Sequence, residues 1–135
     1  MLFRSADAAF HPVVGGQTNQ LTYLQVYLYG LDPTKLDYDG DGVSNYAEYI
    51  ADTNPNDSSS YLRLTLIQPV PGGVWLQWQG GTYATQYLEQ TFSLGLPASS
   101  WSNFLTVIPP TPTLGNFTNL TGTNRAMFYR VRVTR

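Results

Sequence analysis

Asp-Tyr-Asp-Gly-Asp-Gly-Val-Ser-Asn-Tyr-Ala-Glu, residues 37–48, constrains this chain more than any other stretch. Asp37, Asp39, Asp41 and Glu48 fall at positions 1, 3, 5 and 12 of an EF-hand-like loop, and Gly42 supplies the sharp turn at position 6. Four carboxylates in so short a segment repel one another unless a cation lies between them. Val43 is expected to offer its backbone carbonyl while its side chain packs into the local core. Asn45 stands where a side-chain oxygen or a held water belongs, and Glu48 closes the shell with both oxygens. An all-oxygen set suits a hard cation that takes roughly six to eight ligands, unlike zinc or copper. The expected cofactor is Ca2+. The plainer alternative is an Asp/Gly-rich surface turn without metal, which requires every one of these positions to match by chance.

At 135 residues the chain has room for one domain or two small packed units. Charged residues make up only 12% against 42% apolar, a balance that argues against intrinsic disorder. Ten Tyr, three Trp and six Phe among many Thr and Ser point to a β-rich protein with an uncharged polar surface. With no Cys, neither a disulfide nor a thiolate metal site is available as a brace. The acids Asp7, Asp32, Asp37, Asp39, Asp41, Glu48, Asp52 and Asp57 crowd the first half, against Arg4 and Lys35 alone. The second half carries Glu89 against Arg63, Arg125, Arg130, Arg132 and Arg135, so the halves are complementary in sign.

Three segments follow. Residues 1–16 form an N-terminal arm whose Leu2-Phe3-Arg4-Ser5 matches a reading frame of a common sequencing adapter; an assembly artefact and a natural start both stay open. Residues 17–57 carry the acidic loop. Before it, Leu21, Leu24, Leu28 and Leu31 recur at helical spacing, with Asn19 available as a cap and Gly30 at the stop. Strand-like alternation runs through the same stretch, and helix is the preferred reading. After the loop a helix starts near Ser44–Asn45 and cannot pass Pro55. Asp52, Asn54 and Asp57 either cap that turn or complete a second cation site, with capping preferred.

From residue 58 to 135 the period changes to two. Leu62, Leu64 and Leu66 alternate with Arg63 and Thr65, and Val74, Leu76 and Trp78 alternate with Trp75 and Gln77 after a Pro69-Val70-Pro71-Gly72-Gly73 turn. Further strands are expected over 82–91, 104–108, 117–121 and 127–134. The last of these puts Tyr129, Val131 and Val133 on one face and Phe128, Arg130 and Arg132 on the other.

The run from Leu36 to Tyr49, followed by Thr53-Asn54-Pro55-Asn56-Asp57, resembles the thrombospondin type 3-like and dockerin-like calcium modules near the C-termini of large secreted bacterial proteins. In this chain Asp52 stands where those modules have Gly, and Asn54 where they have Asp. One loop rather than two speaks against cohesin docking. The second half is similar to the Ig-like or fibronectin type III-like domains that often follow such modules, on Trp78, Tyr87-Leu88-Glu89, Trp101 and Phe128-Tyr129-Arg130-Val131. The expected fold is mainly β: a small antiparallel sandwich behind an N-terminal helix–calcium loop–helix module. The resemblance implies a non-catalytic structural protein, extracellular or on a bacterial cell surface.

Partners are expected among other copies of the chain, as in a filament, or among other surface-protein domains; Ala9–Val14 and edge strands are candidates for strand addition. Asn116-Phe117-Thr118 and Asn119-Leu120-Thr121 are tandem glycosylation sequons, with Asn116 and Asn119 as acceptors, and Asn56-Asp57-Ser58 is a third. The alternative reading is a carbohydrate-binding or adhesion module using exposed Trp75, Trp101 and Tyr residues. Its counterpart has Trp101 in the sandwich core and Trp75 packed on the calcium module. His11 is the sole histidine, and no nucleophile–base pair, paired catalytic carboxylates or phosphate loop accompanies it. An enzyme is not expected, nor is nucleic-acid binding through Arg130 and Arg132, nor a membrane-spanning segment.

Overall fold

Two short pairing strands, β1 (Val13–Val14) and β2 (Gln17–Thr18), lead into α1 (Tyr23–Leu28) and then α2 (Asn45–Ala51). Six strands follow: β3 (Arg63–Val70), β4 (Gly73–Gln79), β5 (Thr85–Thr91), β6 (Ser102–Val107), β7 (Leu114–Asn119) and β8 (Phe128–Thr134). This computed structural model describes residues 11–14, 16–95, 100–120 and 126–135, so most of the expected N-terminal arm lies outside the described residues. The chain divides into two compact units. One takes the chain up to Tyr49 together with Thr53–Ser60, and the other takes Ile50–Asp52 with Tyr61–Arg135.

In the first unit α1 begins one turn later than Asn19 would place it. Thr22 is the cap: its hydroxyl accepts from Gln25 N at 3.2 Å while Gln25 Oε1 accepts from Thr22 N at 2.8 Å, a reciprocal capping box. Asn19 instead holds Leu21 N through Oδ1 at 2.9 Å. The helix is only six residues long, so the expected leucine stripe breaks up. Leu21, Val26 and Leu31 are buried with Tyr29, Tyr46 and Tyr49 around them, whereas Leu24 and Leu28 face outward. Gly30, at φ +67°, turns the chain after α1 and lets Leu31 fold back into the cluster.

The second unit consists of two antiparallel three-stranded sheets, in the orders β3-β4-β7 and β6-β5-β8. Pro71 and Gly72 form the two-residue connection of the β3–β4 hairpin, with Gly72 at φ +80° where a side chain would be strained. Val74, Leu76 and Trp78 alternate inward along β4 and meet Leu88 of β5, with Leu64, Phe104, Phe117, Tyr129 and Val131 packed around them. Both sheets thus share one core, the layering of a β-sandwich. Burying each large aliphatic side chain of that core contributes about 1.5–3 kcal/mol. Tyr129 and Val131 face inward as their spacing predicts. In β3 the simple alternation fails: a bulge between Leu64 and Leu66 shifts the register against β4, leaving Leu64 on the core and Ile67 exposed. Gly115 of β7 sits directly opposite Trp78, where a Cβ would meet the indole ring.

A polar network runs through this unit. Trp78 Nε1 donates to Gln86 Oε1 at 2.6 Å, and Gln86 Nε2 donates to Gly81 O and Thr111 Oγ1. Asp52 adopts φ +57°, a left-handed backbone uncommon outside glycine. Its carboxylate accepts from Thr82 N and Tyr83 N at 2.9 Å each and pairs with Arg135 at 3.0 Å. Those partners offset the strain.

Candidate metal centre

The loop from Asp37 to Val43 is shaped by its own carboxylates. Asp37 Oδ1 accepts from Gly40 N at 2.8 Å and Asp37 Oδ2 from Gly42 N at 3.0 Å. Asp39 Oδ1 takes Asp41 N, and Asp41 Oδ1 takes Val43 N at 2.7 Å. Gly40 and Gly42, at φ +78° and +92°, make the tight path that such bonds require. As a result Asp37, Asp39 and Asp41 each present a ligand oxygen, and these three atoms lie within 4.8 Å of one another.

Asn45, one of the expected ligands, is held at the base of the loop by hydrogen bonds. Its Oδ1 accepts from Tyr38 N and its Nδ2 donates to Lys35 O, both at 2.9 Å, so the buried amide cinches the base of the loop. Asn45 N completes the clasp by donating to Leu36 O at 2.8 Å. Val43 is only half-buried, and the apolar cluster of this unit is built on Leu21, Val26 and Leu31 instead.

Glu48 is fully buried on α2, and neither of its carboxylate oxygens has a hydrogen-bond partner. Asp39 Oδ2 and Asp41 Oδ2 are likewise buried and unpartnered. Burial, and next the charges of Asp39, Asp41, Asp37 and Asp57, push the Glu48 carboxyl up to about 8. Burial and the neighbouring Asp41 and Asp37 also raise Asp39. Leaving a buried carboxylate unpaired costs several kcal/mol, on the order of an isolated ion in a poor solvent. Two remedies exist: the groups take up protons, or a cation joins them. The donors are all oxygens, which is the set a hard divalent ion selects.

The remaining sequence candidates fall elsewhere. Asn54 Oδ1 accepts from Asn56 N, and Asp57 Oδ1 accepts from Ser59 N and Ser59 Oγ, so both shape the turn after α2. Asn116 is exposed on β7. Asn119 is buried, and its Nδ2, the atom a glycan would modify, donates to Gln90 Oε1 at 2.9 Å. Thr121, which completes that second sequon, lies outside the described residues.

Arg130 and Arg132 both bond Glu89, at 2.6 and 3.0 Å, and their guanidinium groups lie over the rings of Trp101 and Tyr87. The two guanidinium groups therefore share one acid, whose side chain is 8% exposed. Burial raises the Glu89 carboxyl, but hydrogen bonds and charges from Arg130 and Arg132 outweigh it and hold the group below its ordinary value. Trp101 consequently packs with Arg130, and the indole inside the core is that of Trp78. No described helix is long and apolar enough to cross a membrane. Comparison with protein-family models, with curated proteins and with solved structures finds no match for this chain.

Proposed function

We propose that this chain is a non-catalytic structural module in which Ca2+, seated among Asp37, Asp39, Asp41 and Glu48, braces the first unit. The observation that carries this reading is Glu48: a fully buried carboxylate with both oxygens unpartnered, its pKa raised by burial and by the charges of three aspartates whose carboxylates converge. The ion supplies the missing positive charge and fills the coordination of oxygens that no N–H reaches. Residues of this chain do the rest: Gly40 and Gly42 bend the loop, Asn45 clamps its base, and α2 delivers Glu48.

The second unit fits the role of an Ig-like or fibronectin type III-like spacer. Together with the resemblance of residues 36–57 to calcium modules of secreted bacterial proteins, this favours an extracellular or cell-surface setting. The outer edges of β3, β7, β6 and β8 offer ladders on which neighbouring domains or copies can add strands.

Scanning calorimetry with calcium and with chelator tests the proposal. At about a hundredfold excess of calcium over its dissociation constant, stability rises by about 2.7 kcal/mol, moving the midpoint by on the order of 10 °C. Superimposable melting curves would defeat it.

A further inference from the structure

We infer that the outer face of the β6-β5-β8 sheet docks a second copy of this chain, with Arg130 and Arg132 receiving the acidic turns at Asp32 and Asp57 of that copy. In this sheet Leu88, Tyr129 and Val131 pack inward, so Tyr87 and Glu89 on β5 and Arg130 and Arg132 on β8 stand on the opposite face. Register sets Glu89 against Arg130 and Tyr87 against Arg132. Each guanidinium commits only its Nε to Glu89, at 2.6 and 3.0 Å. Each also lies over an aromatic ring, Arg130 on Trp101 at 4.3 Å and Arg132 on Tyr87 at 4.2 Å. Among the described residues their Nη groups make no other hydrogen bond, and the two side chains stay 37% and 44% exposed. Two cations over one acid leave this face with surplus positive charge, carried on two forks about 6.8 Å apart along the strand.

A ring beneath and a bond at Nε fix the plane of each guanidinium before anything binds, and the exposed Nη edge is the geometry that takes a carboxylate. The chain itself supplies a matching pair of acids. Asp32 Oδ1 accepts from Thr34 N and Thr34 Oγ1 at 2.9 and 2.7 Å, and Asp57 Oδ1 accepts from Ser59 N and Ser59 Oγ at 3.0 and 2.7 Å. The hydroxyl first and then the N–H hold each carboxyl below its ordinary value, so both are charged at neutral pH. Oδ2 of each has no partner among the described residues. Asn56 Nδ2 ties the two turns together by donating to Tyr29 O at 2.7 Å. Lys35, the only Lys or Arg among the described residues of that unit, lies over the Tyr38 ring at 5.4 Å. Eight of the nine acids precede residue 58 while five of the seven basic side chains follow it, so unlike surfaces of two copies attract and like surfaces repel. Neither Asp32 nor Asp57 belongs to the candidate metal loop, and the inference stands without the calcium reading. A contact between unlike surfaces is heterologous and can pass from copy to copy.

The experiment follows the full chain by sedimentation over a range of concentrations at fixed calcium, in about 0.01 M and about 1 M salt, where screening lengths are about 30 and 3 Å. Mass should rise with concentration at low salt, and the apparent dissociation constant should weaken at least about tenfold at high salt. Asp32→Asn with Asp57→Asn keeps both turn acceptors and removes both charges. It should weaken association at least about tenfold while leaving the melting temperature unchanged. Arg132→Gln, which leaves Arg130 on Glu89, should weaken it similarly. Mixing the two variants restores one intact junction per pair, so the mixture should associate more tightly than either alone and stop at pairs. If Arg132→Gln fails to fold, the aspartate variant mixed with wild type serves, capping wild-type assemblies at one end and lowering their mass. The inference is overturned by a mass that does not change with concentration at low salt, by association indifferent to salt or to the aspartate variant, or by a mixture no tighter than its parts. A calcium-dependent rise in melting temperature is read on dilute, monomeric samples, so either proposal can fail alone.

Discussion

Glu48 shows most directly how one side chain sets a requirement on the whole loop. Replacing it with Gln keeps the shape and removes the charge, so chelated Glu48→Gln should melt above chelated wild type. On the proposed calcium reading the same variant should also lose most of any stabilisation by the ion; calorimetry of the four states checks both signs. Glu89 makes the opposite case, a buried acid whose partners are supplied by the protein. Its carboxyl is held below the ordinary 4.5. The pair therefore stabilises the fold fully above the unfolded value, and the contribution is lost as pH falls through the depressed folded value. Comparing wild type with Glu89→Gln between roughly pH 6 and pH 2, the wild-type advantage of about 2 kcal/mol should vanish at the acid end. A constant difference across that range would remove the role assigned to the ion pair. Asp52 is legible only in part. Its departure from Gly stands out in the sequence, whereas Thr82, Tyr83 and Arg135, which hold its left-handed backbone, are distant in the chain.

At the scale of elements, strands were easier to read than helices. The period-two runs of β4 and β8 name their inward residues correctly because one buried sheet face enforces strict alternation. In β3 the bulge after Leu64 inserts a residue, and nothing in Leu62–Leu66 announces it. For α1 a stripe of four leucines overstated the helix, since Thr22 and Gln25 start it late and Gly30 stops it after six residues. The close approach of β7 to β4 is an element property carried by a glycine. Gly115→Ala places a methyl group into the Trp78 indole and should cost about 1–3 kcal/mol, read as a lower denaturant midpoint with an unchanged slope. An undiminished midpoint would mean the strands part without loss.

Over the whole molecule, the two units differ in what holds them. The second has a core shared by two sheets, while the first rests on three buried aliphatic side chains, their tyrosine neighbours and a loop with unpaired acids among the described residues. Native-state hydrogen exchange should therefore show calcium raising protection in α1, α2 and the loop far more than in β4 and β5. Equal gains in both units would contradict a brace local to the loop. The amino-acid order by itself determined the acidic loop, its Gly42 turn, the mainly β second half and the inward residues of β4, because spacing along one chain sets each of these. It could not assign Asn45 to clamping the loop, leave Glu48 with no partner, bury Asn119 against Gln90, or bring Arg130 and Arg132 onto Glu89. Those outcomes depend on which groups meet across sequence gaps, and only folding decides whether a polar atom finds an N–H, a guanidinium or nothing.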